Sequence, residues 1–103
     1  QEQMHVMFLD TKCKLIKDKL ITSGTINQSL ISPREIFVEA LRCNCVNIVL
    51  IHNHPSGDPT PSRDDINSTI RVQRAGKMIG IKLIDHIIIG DNTYSSLRAL
   101  KLI

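Results

Sequence analysis

"VNIVLIHNHPSGDPTPSRDD", residues 46–65, decides the fold, because three kinds of local structure meet inside it. "VNIVLI" (46–51) is a near-continuous apolar run, which predicts a central strand buried on both faces. "HNHPSGDPTP" (52–61) packs two histidines, three prolines, a glycine and an aspartate, a mixture that no core wants, so it reads as a loop. A helix is then predicted from about Arg63 to Lys77, with Gly76 late in it and Gly80 near its end. Ile66, Ile70 and Met78 lie roughly on one stripe of that helix, while Arg71 and Arg74 point elsewhere.

Working outward, "SPRE" announces an earlier helix. Ser32 is the N-cap, Pro33 the first helical position and Glu35 the acid of a capping box. Ile36, Phe37, Ala40 and Leu41 give this helix its apolar face, and Asn44 is its stop. Ahead of it, "MHVMFLD" (4–10) and "LIKDKLITSG" (15–24) read as strands joined into a hairpin by "TKCK". "GTINQSLI" (24–31) reads as irregular. Downstream, "IKLIDHIIIG" (81–90) is a strand, "DN" a turn and "TYSSL" (93–97) a short return strand. The order β-β-α-β-α-β-β predicts an α/β sandwich, a mixed β-sheet with flanking helices, in one domain over residues 1–103 without repeats.

Composition excludes several classes. No apolar run approaches the ~20 residues that span a bilayer, so no membrane association is expected. No secretory signal is visible, and the abrupt "QEQMH" start fits a piece of a longer chain. The net charge of +3 is too weak to argue for nucleic acid by itself. Cys13, Cys43 and Cys45 are an odd number at no disulfide or zinc spacing, which fits thiols in a reducing cytoplasm.

The loop is the place for chemistry. Successive strand side chains alternate faces, so His52 and His54 point the same way at the end of the buried strand. Two imidazoles there can share one metal ion. Catalytic zinc sites usually have three protein ligands and leave a position open. Asp65, in the first turn of the following helix, is the natural third. Pro55, Pro59 and Pro61 stiffen the return of the chain, and Gly57 permits its bend. The plainer alternative is that the histidines are hydrogen-bonded strand-end residues and that Asp65 completes a capping box with Ser62. Asp64 serves equally as a first-turn acid.

The same run matches, without a gap, the H-x-H-P-x6-S-x2-D signature of the JAMM (MPN-plus) metalloproteases. His52, His54, Pro55, Ser62 and Asp65 fall on its positions. With "FLD", "GTIN", "PREIF", "DHIIIG" and "SL" in order around it, nearly the whole chain resembles the RadC family, named for DNA repair. The resemblance implies a JAMM/MPN (cytidine-deaminase-like) sandwich and a Zn2+ ion held by His52, His54 and Asp65. It gives Ser62 the role of the serine that hydrogen-bonds near the activated water or the developing oxyanion. The upstream glutamate that JAMM enzymes use as general base corresponds to Glu2. Glu35 and Glu39 are fallbacks, although capping explains Glu35 and a solvated helix face explains Glu39. The helical region that RadC proteins normally carry ahead of this domain lies outside these residues, and with it any DNA contact made there.

The resemblance therefore implies zinc-dependent hydrolysis of an amide or isopeptide bond in an unidentified peptide or protein. A competing reading is a DNA-binding or metal-dependent nuclease domain, favoured by Arg63, Arg71, Arg74 and Lys77. Phe8, Phe37 and Tyr94 are the only aromatics, so no stacking platform is evident and only weak DNA contact is expected. A third is a non-catalytic MPN scaffold, which would need no ligand set. Asp85 and His86 could orient a ligand imidazole, but satisfying buried backbone is the commoner job of such a pair and the preferred reading. His5 reads as an ordinary strand residue. Neither substrate nor oligomeric state is legible.

Overall fold

Period-two burial builds the first layer. In a computed structural model, which describes residues 2–24 and 32–103, β1 (Glu2–Leu9) buries Met4, Val6 and Phe8 and leaves His5 and Met7 partly open. The Asp10 carboxylate accepts the Lys12 and Lys14 backbone N–H groups at 2.9 Å each, and this turns the chain. β2 (Leu15–Gly24) then returns antiparallel, giving the predicted hairpin. β1 starts earlier than the apolar pattern suggests, because Glu2 and Gln3 pair with Gly24 and Ser23. Apart from Gly24, the stretch expected to be irregular lies outside the described residues.

α1 (Pro33–Arg42) starts at the predicted cap, but the Ser32 hydroxyl accepts from the Arg34 N–H at 3.2 Å. Glu35 therefore supplies first-turn charge rather than a capping box. The helix ends as predicted. Asn44 is left-handed (φ 56°), Asn44 N–H reaches Leu41 O, and Cys45 N–H reaches Ala40 O, a Schellman turn.

β3 (Asn47–Asn53), α2 (Arg63–Met78), β4 (Lys82–Ile89) and β5 (Tyr94–Ser96) complete the predicted order. The sheet runs β2-β1-β3-β4-β5, with β3 and β4 parallel and the other pairs antiparallel, so it is mixed. Register places Met4 opposite His52 and His52 opposite Ile88. All three are buried on one face, where Ile36, Phe37 and Ala40 of α1 and Val72 of α2 join the strand residues in the core. Both helices thus cover the same face. β3 is correspondingly buried on one face only: Ile48, Leu50 and His52 are inside, while Val49 and Ile51 are half-buried on the other.

Several side chains on the two helices depart from expectation. Leu41 is exposed, because α1 turns Ile36, Phe37, Glu39 and Ala40 inward instead. Glu39 is not on a solvated face. It is 7% exposed and held by Lys17 at 2.8 Å and Lys19 at 2.7 Å from β2, with Arg42 at 3.4 Å. Met78 is 87% exposed, and Ile66 and Ile70 are only half-buried. The buried stripe of α2 is Asp65, Ser68, Thr69, Val72 and Gly76. This helix lies too close to its neighbours for bulky residues: a Cβ on Gly76 would sit 2.3 Å from the Ile81 carbonyl and 3.0 Å from the Phe37 ring. Among the described residues, no helix is long and apolar enough to cross a membrane.

Candidate metal centre

Each ligand candidate is delivered by a different piece of backbone. His52 is still inside β3, on its covered face, and is 1% exposed. His54 lies just past the strand end, where its N–H donates to the Ile89 carbonyl of β4 at 2.9 Å. The chain then turns, with Gly57 N–H donating to His54 O at 3.0 Å and Gly57 itself at φ 89°. Asp65 enters from the first turn of α2 and is fully buried.

Ser62 and Asp65 form a reciprocal capping box. Ser62 Oγ accepts the Asp65 N–H at 3.0 Å, and Asp65 Oδ2 accepts the Ser62 N–H at 2.8 Å. The capping reading is therefore right as far as it goes. It does not exhaust the carboxylate. One ligand atom from each of His52, His54 and Asp65 lies within 4.8 Å of the others. Asp65 Oδ2 is 3.0 Å from His54 Nε2, and Asp65 Oδ1 is 3.6 Å from His52 Nδ1.

The donor chemistry fits a cation. His54 Nδ1 is 2.9 Å from the Asp58 carbonyl, which can only accept, so Nδ1 carries the proton. Nε2 is then the ring nitrogen turned toward the Asp65 carboxylate, 3.0 Å from its Oδ2, where the two could share a cation. Asp65 Oδ1 is buried and has no hydrogen-bond partner among the described residues. A stranded carboxylate oxygen is costly, and a metal ion between these groups would remove that cost. Burial pushes the His52 pKa below the usual value, although the Asp65 carboxylate opposes the shift, and a neutral imidazole is the form that ligates.

Glu2 also reaches the centre. Its Oε1 is 3.3 Å from His52 Nε2, and its side chain is 24% exposed. Its strand is pinned there, because the Gln3 N–H donates to Asn53 Oδ1 at 2.5 Å beside the end of β3. Glu39 and Glu35 lie on α1, where Glu39 is engaged by the lysines of β2. Asp58 is occupied inside the loop by the Thr60 N–H and hydroxyl, which hold its pKa below the usual carboxylate value. Asp64 is exposed in the first turn of α2.

Asp85 performs the structural task expected of it. Its Oδ1 accepts from His86 N–H and Arg98 N–H, and its Oδ2 from the Ser96 hydroxyl. His86 is 1% exposed, and its ring centroid lies 6.1 Å from that of His52. Burial, aided by the nearby His52, pushes its pKa down to about 4. Two elements of the centre were missed in the sequence. Thr69 bonds to the Asp65 carbonyl, and its position four residues after Asp65 was the available signal. The Gly57–Asp91 backbone bond, 2.8 Å, ties the loop to the β4–β5 turn and left no local signal.

The fold and centre define an α/β domain whose sheet end and crossover helix bring together a His-His-Asp group that could hold a metal ion. Residues 1–102 match the RadC-like JAB domain, and the chain belongs to that family. It is 56% identical over 98 residues to a UPF0758 protein of Clostridium perfringens, a match covering 95% of this chain and 43% of that protein. It is 53% identical over 100 residues to a UPF0758 protein of Clostridium botulinum strain Langeland, with the same coverage of 95% and 43%. The chain thus spans less than half the length of these curated relatives.

Proposed function

We propose that this domain is a zinc-dependent hydrolase that cleaves an amide or isopeptide bond in a peptide or protein. The observation that supports it most is a carboxylate, Glu2, set 3.3 Å from His52 at the edge of a buried His-His-Asp group. Two imidazoles and one carboxylate suit zinc, and three protein ligands are the number found in catalytic rather than closed structural sites. When bound, zinc supplies a Lewis acid that acidifies water and polarises a carbonyl.

The chain's own groups do the rest. Glu2 Oε1 takes the proton of the attacking water and passes it to the leaving amine. Ser62 Oγ already accepts the Asp65 N–H, so its own proton is available to the developing oxyanion. Donors of that kind contribute about 3 kcal/mol in other enzymes. We also place the protein in the reducing cytoplasm, a reading supported by its three free cysteines.

Elemental analysis of the purified protein is the direct test. Zinc should approach one ion per chain and fall sharply in His54→Ala, and unchanged zinc in that variant would sink the ligand assignment. Hydrolysis of peptide and isopeptide substrates should be lost with chelator and restored by zinc.

A weak DNA contact is the second reading. A cavity of about 740 Å³ near the C-terminal end of α2 supports it, being lined by Arg74, Lys77, Lys82 and Arg98. Such binding should weaken with modest salt. Tight binding at physiological salt would put the nucleic-acid reading first.

A further inference from the structure

Beneath the metal group lies a buried polar pair that the proposed reaction leaves unused. Thr69 is fully buried and His86 is 1% exposed. Thr69 sits one helical turn after Asp65 on α2, and His86 stands on β4 opposite Leu50 of β3. Thr69 Oγ1 donates to the Asp65 backbone carbonyl at 2.6 Å and lies 2.6 Å from His86 Nδ1.

A hydroxyl has one proton to give. Thr69 gives it to Asp65, so Oγ1 must accept from His86 Nδ1–H. The chain of bonds therefore runs one way, from His86 to Thr69 to Asp65. His86 Nε2 is left buried without a hydrogen-bond partner among the described residues. A leucine would fill that space without stranding a polar atom. The imidazole is accounted for if its other nitrogen is needed.

We propose that Thr69 and His86 are positioning residues for the metal group, holding the first turn of α2 at the height on the sheet where Asp65 meets His52 and His54. This rests on the metal reading given above. Asp65 comes from α2 and His52 from β3, so the placement of the helix on the sheet sets their spacing. The capping box fixes Asp65 only relative to Ser62, which belongs to the same helix end. The Thr69–His86 bond crosses from helix to sheet, and it does so one turn below the ligand. Thr69 also locks the carbonyl of Asp65 itself.

Thr69→Val tests this, because it removes the hydroxyl at nearly constant volume, and Thr69→Ser restores it. Zinc affinity is read by competition with a chromophoric chelator. Ligand geometry is read from the visible absorption of the Co2+-loaded protein. Folding is read from the melt of the metal-free protein. Thr69→Val should bind zinc about 10- to 100-fold more weakly, the usual effect of losing an outer partner of a ligand. Its Co2+ spectrum should shift while its metal-free melt stays cooperative, and Thr69→Ser should behave as wild type. His86→Leu should move affinity and spectrum in the same direction.

Wild-type affinity and an unchanged spectrum in Thr69→Val would overturn the assignment while leaving the metal reading intact. So would equal losses in the valine and serine variants, or a Thr69→Val protein that does not fold, since either makes the pair a matter of core packing. If His86→Leu fails to fold, Thr69→Val decides alone. A wild-type protein that takes up neither zinc nor Co2+ would overturn the metal reading and the positioning role together.

Discussion

A Cβ on Gly90 would sit 2.3 Å from the carbonyl oxygen of Gly57 and 2.8 Å from Pro59 Cδ. The ligand loop and the β4–β5 turn therefore touch backbone to backbone, an approach that only glycine allows. Two hydrogen bonds seal the contact, His54 N–H to Ile89 O at 2.9 Å and Asp91 N–H to Gly57 O at 2.8 Å. Gly90→Ala must push the loop away, and His54 moves with it. The core lies elsewhere, so the melt should stay cooperative while zinc affinity falls by roughly 10-fold or more, as for loss of an outer support. Chelator competition beside a thermal melt measures both, and full affinity in the alanine variant would show that the loop is held by other means.

Asp65→Asn separates the two jobs of that residue. An asparagine can still accept the Ser62 N–H and keep the cap. It cannot supply the negative charge that stands between the two imidazoles. Zinc content and hydrolysis should both drop, with a cooperative melt retained. Collapse to an unfolded chain would show instead that the metal is a structural one.

How far the sequence could be read depended on where each signal lay. The hairpin, both helix starts and the order of elements along the chain came from local patterns, and these are local features. His52, His54 and Asp65 were legible because one strand end and one helix start carry all three. The inner face of α2 was not. Apolar periodicity picks out Ile66, Ile70 and Met78, whereas the buried stripe is mostly polar or small, since it carries Asp65 beside the two histidines at one end and Gly76 against the Ile81 carbonyl and the Phe37 ring at the other. Glu39 was misread for a related reason. Its lysine partners are 22 and 20 residues away on β2, and nothing in α1 announces them. Glu2 rested on family resemblance alone, and its place beside His52 depends on the β1–β3 register.

Glu39 carries an expectation about acid. The hydrogen bonds from Lys17 and Lys19 lower its pKa from 4.5 to about 2. A carboxylate depressed by folding stabilises the protein above its unfolded pKa and loses that contribution as pH falls through the folded one. The clamp should therefore be fully felt above about pH 4.5 and fade toward pH 2. Glu39→Gln should melt lower than wild type near neutrality, and the gap should close across that window. Both lysines are more than 40% exposed, so salt should narrow the gap as well. A constant gap from neutral pH down to pH 2 would remove the clamp as its cause.

The general base is the remaining assignment, and the surroundings of the centre narrow the choice. Asp65 is a ligand candidate, Asp58 is taken by Thr60, and Glu39 is taken by Lys17 and Lys19. Glu2 lies at the edge of the group, 24% exposed, with Oε1 3.3 Å from His52 Nε2, and is the general base that the proposed hydrolysis would use. Glu2→Gln keeps the shape and the capacity to accept a hydrogen bond, but it cannot take a proton. It should retain zinc near one ion per chain. Hydrolysis of a peptide substrate should fall by roughly 10²- to 10⁴-fold, the range expected when a general base is lost. The loss should lie in kcat and leave KM nearly unchanged, because binding does not need that proton transfer. Loss of zinc along with activity would instead make Glu2 an orienting partner of His52, and wild-type turnover would move the proton transfer to another group.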